Sequence, residues 1–163
     1  MRFTLIDRIV ELEKGVRIQA VKTVSLSEEY LRDHFPRFPV LPGVFMLEAM
    51  TQASAWLIRA TDDFAHSIVV LKEARNVKYA DFVVPGRVLT VTAEMQGRGT
   101  RETKLLASGS VDGAAAVSAR LTLEHFNLAD NNPEDAATDV YVVREMRKLF
   151  AILHRPDQVP ADP

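Results

Sequence analysis

The chain contains no cysteine among its 163 residues, so it has neither a disulfide framework nor a thiol nucleophile. Its charge is nearly balanced, with 20 Lys and Arg residues against 22 Asp and Glu residues and a net charge of −2. The two signs are interspersed, which excludes a strongly basic surface for nucleic acid or for an anionic membrane. The length suits one domain with its own core.

Long hydrophobic runs of the kind that target or anchor a protein are also missing. The first residues, Met-Arg-Phe-Thr, do not begin the apolar run of a signal peptide. The longest apolar stretch, residues 44–60, carries Glu48, Gln52 and Arg59 and is shorter than a comfortable bilayer span. We therefore expect a cytoplasmic protein without membrane insertion.

Signatures of several enzyme classes are absent as well. Gly97-Arg98-Gly99 lacks the third glycine and the strand-to-helix setting of a dinucleotide loop, and there is no Gly-x-Ser-x-Gly nucleophile elbow. His66, His125 and His154 have no obvious carboxylate or histidine partner at metal-ligand spacing. We predict no metal and no cofactor.

Against this background, one histidine and one glutamate stand fourteen positions apart, where a proline-rich loop runs into an apolar helix. His34 precedes three prolines within residues 36–42, which hold that segment extended, and Pro42-Gly43 opens the helix. The helix is apolar on nearly every side, so we expect it to be enclosed by other structure. A carboxyl group in apolar surroundings tends to keep its proton and can donate it to a leaving hydroxyl, which makes Glu48 a candidate acid.

Strands are predicted on both sides of this helix, at residues 5–13, 16–24, 68–79, 89–96, 103–111 and 117–124, from alternating apolar residues and turn signals. Asp112-Gly113 is a two-residue hairpin signal. One long helix among antiparallel strands predicts an α+β fold in which the sheet wraps the helix. The predicted division is a domain over residues 1–127, a polar linker over 128–138, and an amphipathic helix and tail over 139–163.

The segment from His34 to Gln52 resembles the active-site segment of the FabZ-type beta-hydroxyacyl-[acyl carrier protein] dehydratases. The shared residues are His34-Phe35-Pro36, Pro39, Pro42-Gly43-Val44, Leu47-Glu48-Ala49-Met50 and Gln52, with a second matching turn at Val83-Val84-Pro85-Gly86. The resemblance covers roughly residues 5–127. Two departures are Arg37-Phe38, where the family has Gly-Lys, and Arg87, where it has an acidic residue.

The resemblance implies the hotdog fold and a lyase that dehydrates a beta-hydroxyacyl thioester to the trans-2-enoyl thioester in fatty-acid or related synthesis. Its substrate would be carried on acyl carrier protein or coenzyme A. By the same resemblance His34 is the base, Glu48 supplies the proton, and Gly43, Val44 and Gln52 bind the substrate. The family also implies a homodimer or higher homo-oligomer, in which the His of one chain meets the Glu of the other.

Other interpretations remain open at this stage. The same fold could hydrolyse thioesters, with Glu48 activating water, or could bind acyl chains without turnover. His34 could be a loop residue bonded to a backbone carbonyl, and Gln52 could simply bond backbone. The terminal helix could be a lid over an acyl tunnel or a basic dock for an acidic carrier protein, although we expect it mainly to pack against the domain.

Overall fold

A computed structural model describes residues 3–32 and 34–155 of the chain. Its helices are α1, Gly43–Thr61, and α2, Ala136–Leu153. Its strands are β1, Arg8–Glu13; β2, Arg17–Thr23; β3, Ile68–Tyr79; β4, Val88–Arg98; β5, Glu102–Val111; and β6, Ala114–Phe126. The strands form one antiparallel sheet in the order β1-β2-β4-β5-β6-β3. Neither helix of the described residues is long and apolar enough to cross a bilayer.

The sheet wraps α1, which contacts strands β2 to β6. Side chains alternate between buried and exposed along β4 and β5, as the period-two pattern predicts. In α1, Met50 and Leu57 are fully buried, whereas Val44 near its start is exposed. The predicted α+β hotdog fold is therefore confirmed, with one face of the helix start left open.

Turns with positive φ join β5 to β6 and β1 to β2. Asp112 and Gly113 both have positive φ, 50° and 82°, as the tight turn between β5 and β6 requires, so the predicted hairpin is confirmed. Gly15 turns the chain between β1 and β2 with φ 77°, and its N–H donates to Oγ1 of Thr61, 2.8 Å away. This bond fastens the first hairpin to the end of α1.

The terminal helix packs against the domain through the apolar spacing seen in the sequence. Phe150 contacts the rings of Trp56 and Phe64, with centroids 5.9 Å and 5.4 Å apart, and Leu153 is buried. Arg147 pairs with Asp63 at 3.1 Å. Packing against the domain, the role that we expected for α2, is therefore seen directly.

The chain between β6 and α2 is more ordered than a linker. Residues 128–130 and 133–135 each form a short 3₁₀ turn. Helix α2 begins at Ala136 rather than at residue 139, because Pro133 starts a helical turn and Asn132 caps it by accepting from the N–H of Glu134. The predicted tail, residues 156–163, lies outside the described residues.

A buried carboxylate holds the start of α2 in place. Asp139 accepts hydrogen bonds from the hydroxyl of Ser67 and from the N–H groups of Leu128 and Ala129, the latter two at 2.9 Å. Burial alone would raise the pKa of Asp139, but these hydrogen bonds bring that pKa below its ordinary value. The helix is thus tied by one side chain both to the segment before β3 and to the segment after β6.

Candidate active site

The loop before α1 fixes the orientation of the histidine. Nδ1 of His34 lies 3.0 Å from the carbonyl oxygen of Val40. A carbonyl can only accept, so Nδ1 carries the proton in the neutral ring and Nε2 keeps a free lone pair. The sequence left open that His34 merely bonds a backbone carbonyl. That bond is present, and it also leaves Nε2 able to act as a base.

A tight turn follows the histidine. Phe35 has φ 51°, an uncommon value for a residue with a side chain, and its ring lies 4.5 Å from the His34 ring. The carbonyl of Phe35 accepts from the N–H of Phe38 at 2.7 Å. Strained backbone of this kind costs about 1–3 kcal/mol and clusters at functional sites.

The two stretches that matched the family motif lie side by side. The N–H of Leu41 donates to the carbonyl of Val83 at 2.8 Å, which joins the end of the proline loop to the second stretch. The N–H of Gly86 donates to the carbonyl of Val24 at 2.8 Å, which ties that stretch to the end of β2. The loop that carries His34 is thus supported from the sheet.

Glu48 and Gln52 form a connected polar pair on the first turns of α1. Nε2 of Gln52 donates to Oε1 of Glu48 at 3.0 Å and to the carbonyl of Phe3 at 3.1 Å. Oε1 of Gln52 accepts from the N–H of Leu5 at 2.9 Å. The amide orientation is fixed, because only its oxygen can accept from the Leu5 N–H. Gln52 therefore bonds the carboxyl group of Glu48 as well as the backbone, the role left open by the sequence.

The start of α1 presents free N–H groups beside a tyrosine. Phe45 and Met46 both donate to the carbonyl of Pro42, so the N–H groups of Gly43 and Val44 precede the first intrahelical bonds. A side chain at residue 43 would come within 3.0 Å of the ring of Tyr79, which is half exposed at the end of β3. Glycine at this position therefore leaves room for Tyr79, a neighbour that sequence reasoning missed because it comes from the far end of a strand.

His34 and Glu48 have different hydrogen-bond partners within one chain. No hydrogen bond or ion pair joins them in the part of the chain that the structure describes. Val44, one turn before Glu48 on the same helix, is 63 % exposed. Within one chain, the candidate acid Glu48 is half-buried on α1 and the candidate base His34 is half-buried on the preceding loop.

A cavity of about 440 Å³ begins at Gln52 and continues along the same face of α1. Gln52, Trp56 and Arg59 follow Glu48 at helical spacing, and α2 supplies the opposite wall through Tyr141, Val142, Glu145, Met146 and Leu149. Burial lowers the pKa of Arg59 to about 10, and its Nη2 donates to the carbonyl of Ser67 at 3.2 Å. Sequence reasoning gave no position for this cavity, because it depends on how α2 crosses α1.

The departures from the family motif lie on the surface. Arg37 and Phe38 are exposed, and the Phe38 ring packs edge-on against Phe82 at 5.6 Å. Arg87 pairs with Asp112 at the β5–β6 turn, on the surface, where such a pair is worth little. Arg37 and Phe38 belong to the loop that carries His34, whereas the side chain of Arg87 pairs at the β5–β6 turn.

The expectation that His66 and His125 lack partners was wrong. Nε2 of His66 lies 3.8 Å from Oδ2 of Asp62, and the rings of His66 and His125 lie with centroids 4.8 Å apart, tilted by 36° to each other. Asp62 was overlooked although it precedes His66 by four residues, and His125 is brought to them by β6. Burial lowers the pKa of His125, and the neighbouring His66 adds to that effect.

The sequence is similar to one protein-family model and to several named proteins. Residues 1–120 match the family model described as the FabA-like domain. Proteins named 3-hydroxyacyl-[acyl-carrier-protein] dehydratase FabZ are similar over most of their length. That of Ruminiclostridium cellulolyticum is 35 % identical over 119 residues, which cover 73 % of this chain and 84 % of the relative. That of Solibacter usitatus is 33 % identical over 144 residues, covering 88 % and 87 %.

Among solved structures, the dehydratase heterocomplex ApeI:P from Xenorhabdus doucetiae superposes with a TM-score of 0.61. The match covers 77 % of this chain and 85 % of the other, at 23 % identity. At 23 % identity this similarity supports the assignment of the fold alone.

Proposed function

We propose that this chain, which belongs to the FabA-like domain family and has the FabZ dehydratases as its relatives, is a 3-hydroxyacyl-[acyl-carrier-protein] dehydratase. The observation that carries the proposal is the pair of fixed proton-transfer groups. Glu48 is held by Gln52, and His34 is held by Val40 in the tautomer of a base. Both residues lie within the matched domain.

Elimination of water needs one proton removed and one supplied. Nε2 of His34 takes the proton from the carbon next to the thioester carbonyl, and the electron pair forms the new carbon–carbon double bond. The carbon–oxygen bond of the 3-hydroxyl group breaks as Glu48 protonates that oxygen, and water leaves. The proton on His34 then returns to Glu48 through solvent, which restores both groups.

The hydrogen bond from Gln52 assigns separate tasks to the two carboxyl oxygens of Glu48. Oε1 accepts from Nε2 of Gln52, so it is the carbonyl-like oxygen of the protonated acid. The acidic proton then belongs to Oε2, which is free to face the leaving hydroxyl. Gln52 acts as a positioning residue for the acid.

The first N–H groups of α1 can stabilise the negative charge that develops on the thioester oxygen. Charge builds on the thioester oxygen as the proton leaves, and an N–H donor at the positive end of a helix stabilises it. The N–H of Gly43 is the donor in this proposal, and Val44 contacts the substrate beside it. Tyr79, which packs on Gly43, limits the space at this point.

A homodimer completes the site in this proposal. Strand β3 is the last strand of the sheet, and an unpaired edge favours pairing with a second copy. The exposed Val44 near the start of α1, and the lack of a hydrogen bond or ion pair between His34 and Glu48 within the described chain, support a site built from two chains. His34 of one protomer would serve Glu48 of its partner.

The cavity between α1 and α2 suits the acyl chain. It starts at Gln52, which touches the acid, and its walls are mainly apolar side chains. Phe3, Trp56, Met146 and Leu149 give an alkyl chain the surface that it needs to leave water. Helix α2 is therefore both a packed element and a wall of the proposed acyl site.

The test is an assay that separates elimination from hydrolysis. The purified full chain is incubated with 3-hydroxyacyl and trans-2-enoyl thioesters, carried on acyl carrier protein and on coenzyme A in parallel. We expect the two thioesters to interconvert without release of free thiol, and faster on acyl carrier protein. Steady release of thiol would identify the protein as a thioesterase instead. If neither reaction is observed, the protein would be assigned as a non-catalytic acyl-binding protein.

A further inference from the structure

A group of three polar side chains lies at the end of α1, away from the candidate active site. Asp62 follows the last residue of the helix, His66 lies in the connection to β3, and His125 lies near the end of β6. One ligand atom from each falls within 4.8 Å of those of the other two. Asp62 follows Glu48 by fourteen residues, or about 20 Å along the helix axis, so this group is separate from the proposed chemistry.

Each of these side chains has a buried nitrogen or oxygen atom that no hydrogen bond satisfies. Oδ2 of Asp62, Nδ1 of His66 and Nδ1 of His125 have no hydrogen-bond partner among the described residues. The side chain of Asp62 is 4 % exposed and His125 is 1 % exposed. Leaving a buried polar atom unsatisfied costs about 1–3 kcal/mol, so three such atoms in one group of neighbouring side chains indicate a missing partner.

The surroundings orient two of the three groups as ligands. Arg98 binds Oδ1 of Asp62, which leaves Oδ2 facing His66 at 3.8 Å. Oγ1 of Thr103 lies 3.2 Å from Nε2 of His125 and can accept its N–H, which leaves the lone pair on Nδ1. An outer partner on the second ring nitrogen is the usual companion of a metal-bound histidine.

We infer that Asp62, His66 and His125 bind one divalent transition-metal ion of the Zn²⁺ class. Two imidazoles and one carboxylate are the donors that Zn²⁺ and its neighbours prefer, whereas Mg²⁺ and Ca²⁺ prefer oxygen ligands throughout. Bond lengths of about 2.0–2.1 Å place donor atoms about 3.3 Å apart in a tetrahedral site, so the side chains close by about 1–1.5 Å on binding. His66 is partly exposed and gives the ion a way in.

The ion would act as a structural clamp. Asp62 belongs to the end of α1 and His125 to β6, while Arg98 on β4 supports the carboxylate. A metal bond between them fastens the central helix to the sheet that wraps it. Metal binding adds to the stability of the folded state because the unfolded chain does not hold the three ligands together.

The experiment uses the full chain without a histidine tag, stripped of metal by a chelator. Zn²⁺ is titrated by calorimetry, Co²⁺ is added to record its visible absorption, and thermal unfolding is followed with and without Zn²⁺. We expect one Zn²⁺ per chain, a Co²⁺ spectrum of a four- or five-coordinate ion, and a higher Tm with Zn²⁺. Mg²⁺ in place of Zn²⁺ should leave the Tm unchanged.

Two variants and a control locate the ion. His66→Gln, in the partly exposed connection, should weaken Zn²⁺ binding more than about 100-fold, since losing even an outer partner costs about 10- to 100-fold. Thr103→Val removes the hydrogen-bond partner of Nε2 of His125 and should weaken Zn²⁺ binding by about 10- to 100-fold. His154→Gln, a histidine outside the group, should bind Zn²⁺ like the wild type. Absence of saturable binding, or equal binding by His66→Gln, would overturn the inference.

Discussion

Gln52 donates a hydrogen bond from Nε2 to Oε1 of Glu48 across one turn of α1, at 3.0 Å. The same amide holds the carbonyl of Phe3 and the N–H of Leu5, at 3.1 Å and 2.9 Å. The proposed acid is therefore mechanically coupled to the N-terminal segment of the chain, which is buried at Leu5. The side chain of Gln52 thus both orients the carboxyl group of Glu48 and attaches the N-terminal segment to α1.

Replacing this amide should lower both stability and activity. Gln52→Met keeps the volume but leaves the buried N–H of Leu5 without an acceptor, which costs about 1–3 kcal/mol in free energy of unfolding. Turnover should fall roughly tenfold or more, because without the hydrogen bond from Gln52 the carboxyl group of Glu48 no longer directs its proton toward the leaving hydroxyl. Urea unfolding and steady-state kinetics measure the two effects. Gln96→Met, the same change on the exposed part of β4, should alter neither.

The two proton-transfer groups should each be needed for turnover. His34→Ala and Glu48→Gln should lower kcat by about a hundredfold or more while far-ultraviolet circular dichroism stays as in the wild type. Glu94→Gln, an exposed carboxyl on β4, is the matched control and should keep full activity. A folded His34→Ala or Glu48→Gln protein with near wild-type kcat would contradict the assignment.

Mixed dimers should recover activity. If His34 of one chain serves Glu48 of the other, a dimer of one His34→Ala chain and one Glu48→Gln chain has one site with both groups intact. The mixture should therefore regain activity up to half that of the wild type per mixed dimer. Pull-down with two different tags measures subunit exchange. Inactive mixed dimers, with exchange demonstrated, would show that the two residues do not act across the interface.

Filling the cavity between α1 and α2 should shorten the acyl chain that the protein accepts. Met146→Trp adds a large ring to the cavity wall, so kcat/KM for long-chain thioesters should fall by roughly tenfold or more while short-chain thioesters react as before. Val140→Trp places the same ring on the exposed side of α2 and should change neither. Equal losses for every chain length in Met146→Trp would place the acyl chain elsewhere.

The stability supplied by Asp139 should depend on pH. Hydrogen bonds from Ser67, Ala129 and Leu128 outweigh burial and hold the pKa of Asp139 below its ordinary 3.8, so the folded state favours the ionised form. Asp139→Asn should therefore lower the free energy of unfolding at pH 7. That difference should persist down to pH 3.8 and shrink as the pH falls through the lower folded pKa. Urea unfolding of both proteins across this range measures it, and a difference independent of pH would contradict the role of the charge.

Local signals predicted the elements of the fold well. The strand at Ile68–Tyr79 and the hairpin at Asp112-Gly113 follow from alternation and turn chemistry, which act between near neighbours. Helix α1 extends from Gly43 to Thr61, one residue beyond the predicted stretch at each end. The start of α2 was placed too late, because Asn132 and Pro133 resemble a loop in composition but build a helical turn.

The site was predictable only where the motif spans adjacent turns. Glu48 and Gln52 are four residues apart on one helix, so their hydrogen bond follows from spacing. The contact of Tyr79 with Gly43 and the approach of His125 to Asp62 depend instead on strand order and on where α1 ends. Such contacts between distant residues have no periodic signature, which is why the histidine group was missed.

The position of β3 at the end of the sheet also determines when it can fold during synthesis. Among the described strands its one neighbour is β6, and Ile68 pairs with Phe126, so the partner strand is made only after the intervening fifty-odd residues. At typical ribosomal rates of about 5–20 residues per second, β3 waits several seconds with both edges unpaired. During that interval α1 also lacks much of the sheet that covers it. Nascent chains that stop before residue 114 should therefore be the forms that bind chaperones or aggregate.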